Sequence, residues 1–485
     1  MTRRVLAAIV LAIATLPAWA AETLLTPCRV AGIKNEVKCG VLKRPLDPAQ
    51  PQGTAIEVHV VVVPAMARNK LPDPVFLLAG GPGQSAISVA PQTLPLFTRL
   101  NNRRDIVFVD QRGTGRSAPL ACEDTRHQTF AEQADPQRQL AQMRRCRDRL
   151  QALPHGDLRM YTTTIAMQDL EAVRQALGAA RINLVGVSYG TRAALEYQRQ
   201  FPAAVRRSVL DGVAPPDMVL PLSYATDGEA AFEAVFAACE AEPACGAAHP
   251  QLRTQWATLL ASLPKAVTLT HALTGRSEPV TLTREMLFGA MRGPLYSPTV
   301  AAALPQAISE AAAGRYDALV GLGSLLASRK GSMVAMGMHL SVICAEDYPR
   351  MAGEGAAPQS EFGRDFTRLY REVCADWPRG EVPAAFYGIP ASRSPVLALS
   401  GGIDPVTPPR HGERAVQALG AKARHVVVPN GGHGLLGLLC MREVLYRFID
   451  ASDDAAALAV DAGCAKDIPR PPAYLPIVAP TEGAP

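Results

Sequence analysis

The chain has 485 residues, 48% hydrophobic and 19% charged, a globular composition rather than a disordered one. Its formal charge is +5, or +3 without Arg3 and Arg4, and no basic stripe gathers that charge, so nucleic acid is excluded as an expected partner. The length allows a large catalytic domain with an insertion, or two or three ordinary domains.

Residues 1 to 20 have the layout of a secretory signal. Arg3-Arg4 form the charged start, Val5 to Leu16 the apolar core, and Ala18-Trp19-Ala20 a small-x-small cleavage site. The apolar run falls short of the ~20 residues a membrane helix needs, and Pro17 follows it. No later stretch is long and apolar enough to span. The expectation is a periplasmic or secreted protein with no membrane span in its mature form. All ten cysteines follow this segment, an even number that suits disulfides in an exported chain. They fall into sequence-local couples: Cys28–Cys39, Cys122–Cys146, Cys239–Cys245, Cys344–Cys374 and Cys440–Cys464. No Cys-x-x-Cys pair or His-rich spacing suggests a metal.

Residues 22 to 53 are a proline-containing lead-in. Ile56 to Val63, Pro74 to Ala79 and Asp105 to Asp110 read as buried strands, followed by a helix over Thr164 to Leu177 and a strand over Ile182 to Val187. A helix over Thr191 to Phe201 and a strand over Arg207 to Gly212 come next. Alternating apolar strands and helices predict a mostly parallel, doubly wound α/β sheet over residues 21 to 215, resuming over 386 to 470. Pro395 to Ser400 and His425 to Val428 supply the later strands, and Leu436 to Ile449 the last helix. Between them, 216 to 385 reads as a mainly helical cap, with helices over Glu229–Cys239, Gln251–Ser262, Thr299–Ala313 and Asp317–Ala327 and a hairpin over Val267 to Leu282. Residues 471 to 485 are a proline-rich tail.

Gly186-Val187-Ser188-Tyr189-Gly190 lies between a strand and a helix, the setting of a nucleophile elbow. A serine hydroxyl needs a base to take its proton and an acid to orient that base. In the chain order Ser, acid, His, the acid is Asp404, on the loop after strand 395–400, with Asp211 as competitor. The base is His433 in Asn430-Gly431-Gly432-His433-Gly434, since His411 falls on the next helix and His425 opens a strand. The oxyanion would be held by the N–H groups of Tyr189 and Gly81, the latter in Gly80-Gly81-Pro82-Gly83. No Gly-Lys-Ser/Thr follows that loop, so it is no phosphate cradle, and the segment Asp110 to Ser117 reads as a structural turn under the site. No cofactor is implied.

Together Gly80-Gly81-Pro82-Gly83, Asp110-Gln111-Arg112-Gly113-Thr114-Gly115-Arg116-Ser117, the elbow, Asp404 and Gly432-His433-Gly434 resemble the α/β-hydrolase peptidases of the proline iminopeptidase and tripeptidyl aminopeptidase type. The resemblance covers nearly the whole mature chain. It implies an α/β-hydrolase fold with a helical cap, and an exported serine aminopeptidase acting on peptides with a free N-terminus. Iminopeptidases usually carry His before Gly-Gly-Pro-Gly; Ala79 stands here, which points towards the secreted tripeptidyl-type members. Such an enzyme must hold an ammonium group, and Glu346 and Asp347 are the cap acids expected to do so. Two alternatives stay open: a carboxylesterase on the same triad, and an inactive exported binding protein on the same scaffold.

Overall fold

The computed structural model describes residues 24–325, 334–351, 360 and 362–475. The expected secretory signal and the end of the tail lie outside the described residues.

Eleven strands follow one another in the described chain: β1 Leu25–Cys28, β2 Val37–Pro45, β3 Ala55–Val63, β4 Val75–Leu78, β5 Ile106–Val109, β6 Ile182–Val187, β7 Val205–Asp211, β8 Lys265–Thr270, β9 Ser277–Leu282, β10 Val396–Gly401 and β11 Ala423–Val428. Nine form one sheet in the order β1-β2-β3-β5-β4-β6-β7-β10-β11. The β1–β2, β2–β3 and β3–β5 pairs are antiparallel, and every pairing from β5 through β4 to β11 is parallel. Parallel strands need helices on both faces, which is why β4, β5 and β10 are buried along their whole length and β4 and β5 read as unbroken apolar runs. One apolar cluster lies on each face. Phe76, Val107, Leu184 and Leu210 belong to the first, and Leu77, Phe108, Val185 and Val209 to the second, as the two-residue strand period requires.

The sheet strands lie where the apolar runs predict them, within two residues. The proline-containing lead-in, for which no strand is predicted, forms β1 and β2; β2 exposes every second or third side chain and lacks a long apolar run. The segment 216–385 contains the expected helices, the hairpin of β8 with β9, and further helices at Arg284–Leu295, Met336–Glu346 and Arg364–Asp376. The expected helix over Thr299–Ala313 is split into Pro298–Ala301 and Leu304–Ala312. Pro305 has no N–H to give and its ring opposes the carbonyl four residues back. Residues 231–319, with Phe362, build an apolar cluster of their own around Phe232, Trp256 and Leu304. Helices Met336–Glu346 and Arg364–Asp376 instead share the cluster on one face of the main sheet, through Met338, Val342, Tyr370 and Val373.

The cysteines are joined as Cys28–Cys39, Cys122–Cys146, Cys239–Cys245, Cys344–Cys374 and Cys440–Cys464. The fourth links the two helices that pack on the sheet. Among the described residues no helix is long and apolar enough to cross a membrane.

Candidate active site

Ser188 stands between β6 and helix Tyr189–Gln200 with φ 57° and ψ −124°, one of two non-glycine residues with positive φ among the described residues. That strain is held by fixed bonds: Ser188 N–H donates to Asp211 O at 2.8 Å, and Thr191 donates to Ser188 O from its N–H at 2.8 Å and its hydroxyl at 2.6 Å. The flanking glycines are required by space. A Cβ on Gly186 would lie 2.4 Å from Gly190 O, and one on Gly190 would lie 2.1 Å from Leu78 O. The elbow is therefore pressed against the end of β4.

The loop after β4 reaches the serine. A Cβ on Gly80 would meet Ser188 Cβ at 3.2 Å, and Gly81 has φ +111°. Neither Gly81 N–H nor Tyr189 N–H donates to another described backbone group, so both are free to face a developing oxyanion beside Ser188. Asp110 ties this loop down, accepting from Ser85 Oγ at 2.6 Å, Ile87 N at 3.0 Å and Arg116 N at 3.2 Å. Arg112 grips Asp169 through two nitrogens at 2.7 and 3.0 Å. The segment 110–117 is thus a structural floor.

Asp404 and His433 meet on the other side of the serine. His433 Nδ1 lies 2.8 Å from Asp404 Oδ2, whose oxygens also accept from Val406 N, Thr407 N and Thr407 Oγ1 at 2.8, 2.9 and 2.7 Å. A carboxylate can only accept at neutral pH, so Nδ1 carries the proton and Nε2 is left as a base. Burial works to lower the imidazole's pKa, but Asp404, with Asp211 adding, outweighs it and holds His433 above its ordinary value. Burial likewise pushes against the Asp404 carboxylate, and His433 together with the Thr407 and Val406 N–H groups keeps it below the ordinary range. The ring lies beside Gly212, the residue after the one whose carbonyl holds Ser188 N. No Ser188–His433 hydrogen bond is formed among the described contacts; such bonds are commonly long without substrate and tighten when it binds.

Asp211, the competing acid, has a different task. Its oxygens accept from Leu435 N at 2.9 and 2.8 Å and Leu436 N at 3.0 Å, which anchors the His433 loop. Burial raises its pKa. His411 pairs with Asp227 at 2.9 Å on helix Pro409–Leu419, and His425 meets Ser400 Oγ at 2.9 Å, so neither approaches the serine.

Glu346 and Asp347 are a correction. The expectation that they face a substrate ammonium fails because both are buried and both are paired with Arg192. Arg192 meets Asp347 at 3.0–3.2 Å through both terminal nitrogens and Glu346 at 3.5 Å. Glu346 also accepts from Thr163 N at 2.7 Å, and Asp347 from Leu220 N at 2.9 Å. The cluster lies behind the elbow helix and braces it: Thr163 Oγ1 is 2.7 Å from the hydroxyl of Tyr189, which also accepts from Gln111 at 3.1 Å.

Three contributors were missed from sequence. Thr407 supports Asp404, and its position three residues on from an aspartate in a Pro-containing turn is a readable Asx-turn signal. Asp211 as anchor of the histidine loop, and Tyr296 as its roof, have no local signal. Tyr296 packs its ring edge-on to His433 at 5.1 Å and accepts from His433 N at 2.9 Å.

Sheet, strained serine and the histidine–aspartate pair define the class, a serine hydrolase on an α/β-hydrolase fold. The family model for the alpha/beta hydrolase fold matches residues 73–237, and that for TAP-like protein matches 358–454. The chain has the α/β-hydrolase fold, and its residues 358–454 are similar to the TAP-like proteins. It is 27% identical over 449 residues to a tripeptidyl aminopeptidase of Streptomyces lividans, covering 84% of this chain and 80% of that protein. Serine protease Hip1 of Mycobacterium tuberculosis (strain ATCC 25618 / H37Rv) is 26% identical over 424 residues, 78% of this chain and 77% of the relative. Carboxylesterase B of Mycobacterium tuberculosis (strain CDC 1551 / Oshkosh) is 28% identical over 424 residues, 79% and 78% of the two chains.

Proposed function

We propose that this protein is an exported serine peptidase that releases N-terminal residues or short peptides through an acyl-enzyme on Ser188. His433 Nε2 takes the Ser188 proton as Oγ attacks the scissile carbonyl, then delivers it to the leaving amine. Asp404 keeps the imidazole in the tautomer that leaves Nε2 basic and stabilises the imidazolium. The N–H groups of Gly81 and Tyr189 hold the oxyanion, each worth about 2.7–4 kcal/mol of barrier. Water attacks the acyl-enzyme by the same route in reverse. The observation that carries the reading is the 2.8 Å His433–Asp404 pair on loops beside a serine held at φ 57°. The peptidase relatives support peptide substrates, and the five disulfides fit an exported protein.

A second reading, a carboxylesterase, is favoured by one observation: Glu346 and Asp347 are occupied by Arg192 and offer no seat for a substrate ammonium. The carboxylesterase relative has a similar share of both chains aligned. Comparing kcat/KM on tripeptidyl and aminoacyl nitroanilides with that on acyl nitrophenyl esters separates the two. The peptidase reading expects turnover of unblocked nitroanilides, lost on N-acetylation; ester hydrolysis with no nitroanilide turnover would refute it.

A further inference from the structure

The roof over the site carries a positive charge that no described carboxylate opposes. Arg292, on helix Arg284–Leu295, is partly buried, with its guanidinium 4.2 Å from the Phe366 ring centroid and 4.8 Å from that of Tyr224. The ionisable neighbours of that charge are the phenols of Tyr296, Tyr224 and Tyr370. Among the described residues no acid pairs with it. The contrast with Arg192 and Arg112 is direct, since each of those is answered by a carboxylate at 3.0 Å or less. Aromatic faces attract a cation but leave its charge unopposed, and the Tyr296 side chain takes up only part of its N–H donor set.

Its position connects it to both halves of the catalytic machinery. On one side Tyr296, one helical turn on from Arg292, packs against His433 and takes the hydrogen bond from its N–H. On the other, Phe366 packs on Tyr370 at 4.7 Å, the Tyr370 hydroxyl is 2.6 Å from His339 Nε2, and His339 Nδ1 is 3.0 Å from Pro82 O. Pro82 follows Gly81 in the oxyanion loop. A carbonyl only accepts, so His339 Nδ1 carries the proton and Nε2 accepts from Tyr370. Burial pulls His339 down to about 4, so this imidazole is neutral and adds no charge of its own. Along the described contacts from the histidine loop to the oxyanion loop, through Tyr296, Phe366, Tyr370 and His339, the charged side chain is Arg292.

We propose that Arg292 is a specificity-determining residue that receives a carboxylate of the substrate close to the scissile bond. The inference rests on the serine-hydrolase reading above and names the substrate class for it. A guanidinium has five N–H donors, so one that engages Tyr296 still has donors for a carboxylate, which can take two parallel hydrogen bonds from it. The carboxylate comes from one of two sources: an acidic side chain on the residue whose carbonyl is attacked, or the free C-terminus of a short leaving peptide.

Two matched substrate pairs distinguish them. The first compares Glu with Gln before the scissile bond in C-terminally amidated peptides; the second compares a free with an amidated C-terminus in an otherwise neutral peptide. In the wild-type protein one pair is expected to show about 10- to 100-fold higher kcat/KM for the carboxylate member, the range of one charge-assisted hydrogen bond. A preference in the first pair assigns the acidic side chain, and one in the second assigns the terminus. In Arg292→Gln the ratio should fall to within about threefold of one, and Arg292→Lys should retain part of it, since a lysine keeps the charge without the fork. Fluorophosphonate labelling of Ser188 reports whether each variant keeps a competent site. If Arg292→Gln fails to label, Arg292→Lys takes its place, and a drop of at least about threefold in the ratio is then required. Ratios near one in both wild-type pairs, or a ratio unchanged by substitution, overturn the proposal while leaving a labelled, active hydrolase. A wild-type protein that neither labels nor cleaves overturns the hydrolase reading, and this inference with it.

Discussion

Two pairs of buried carboxylates lie on opposite sides of the elbow, and their neighbours give them opposite roles. Asp211 and Asp404 face His433; Glu346 and Asp347 face Arg192. The first pair works beside a group that can gain and lose a proton near neutral pH, so its charge is available to chemistry. The second is locked to a guanidinium that never loses its proton, so its charge is spent on holding the elbow helix to helix Met336–Glu346. A buried acid is therefore not by itself a sign of function. The partner decides, and here the partner is 155 residues away in the chain.

Breaking the first pair should cost the most. Asp404→Asn replaces an obligate acceptor with a group that can turn its N–H₂ to His433 and favour the wrong tautomer; kcat should fall by about 10³–10⁴-fold with the protein still folded. Steady-state kinetics beside circular dichroism checks this, and a fall below tenfold would move the acid role elsewhere.

Breaking the second pair should strike stability instead. Asp347→Asn leaves Arg192 with one buried carboxylate, Glu346 at 3.5 Å, and removal of one member of a buried ion pair costs about 3–5 kcal/mol. Urea unfolding should show that loss, while kcat per folded molecule stays within severalfold. A loss of kcat larger than that of Asp404→Asn would invert the comparison.

The smallest effect is a dependence on pH. Burial raises the Glu346 carboxyl to about 7, with Arg192 opposing and Asp347 adding to the rise. Its unfolded value lies near 4.5, so the native state binds the extra proton between those values and this group's stabilising contribution is lost as pH rises from about 4.5 to about 7. Thermal unfolding across that window should show a shallower decline for Glu346→Gln than for the wild type. Parallel curves would show that Glu346 titrates at its ordinary value.

What could be read in the sequence follows the same division. The strands of the sheet and the elbow are written in contiguous residues: Ile182, Leu184, Val185 and Val187 in β6, with glycines placed where any Cβ would strike Gly190 O or Leu78 O. Asp404 and His433 are each found by their place after a strand. Glu346 and Asp347 misled because Arg192 on helix Tyr189–Gln200 gives no sign in its own neighbourhood of the acids it will meet. Asp211 looked like a triad acid for the same reason, since its bonds to Leu435 and Leu436 join residues more than 220 positions apart. Local geometry was legible, and pairing across the fold was not.

The most direct test of the account is intact-mass and peptide-level analysis of the protein after reaction with a fluorophosphonate, with labelling rates followed against pH. The account predicts one adduct, on Ser188, absent in Ser188→Ala and strongly slowed in His433→Ala. It also predicts a rate that rises with pH through a midpoint above the ordinary imidazole value of 6.5, because Asp404 outweighs burial at His433. No adduct, an adduct on another residue, or labelling indifferent to His433 would contradict it.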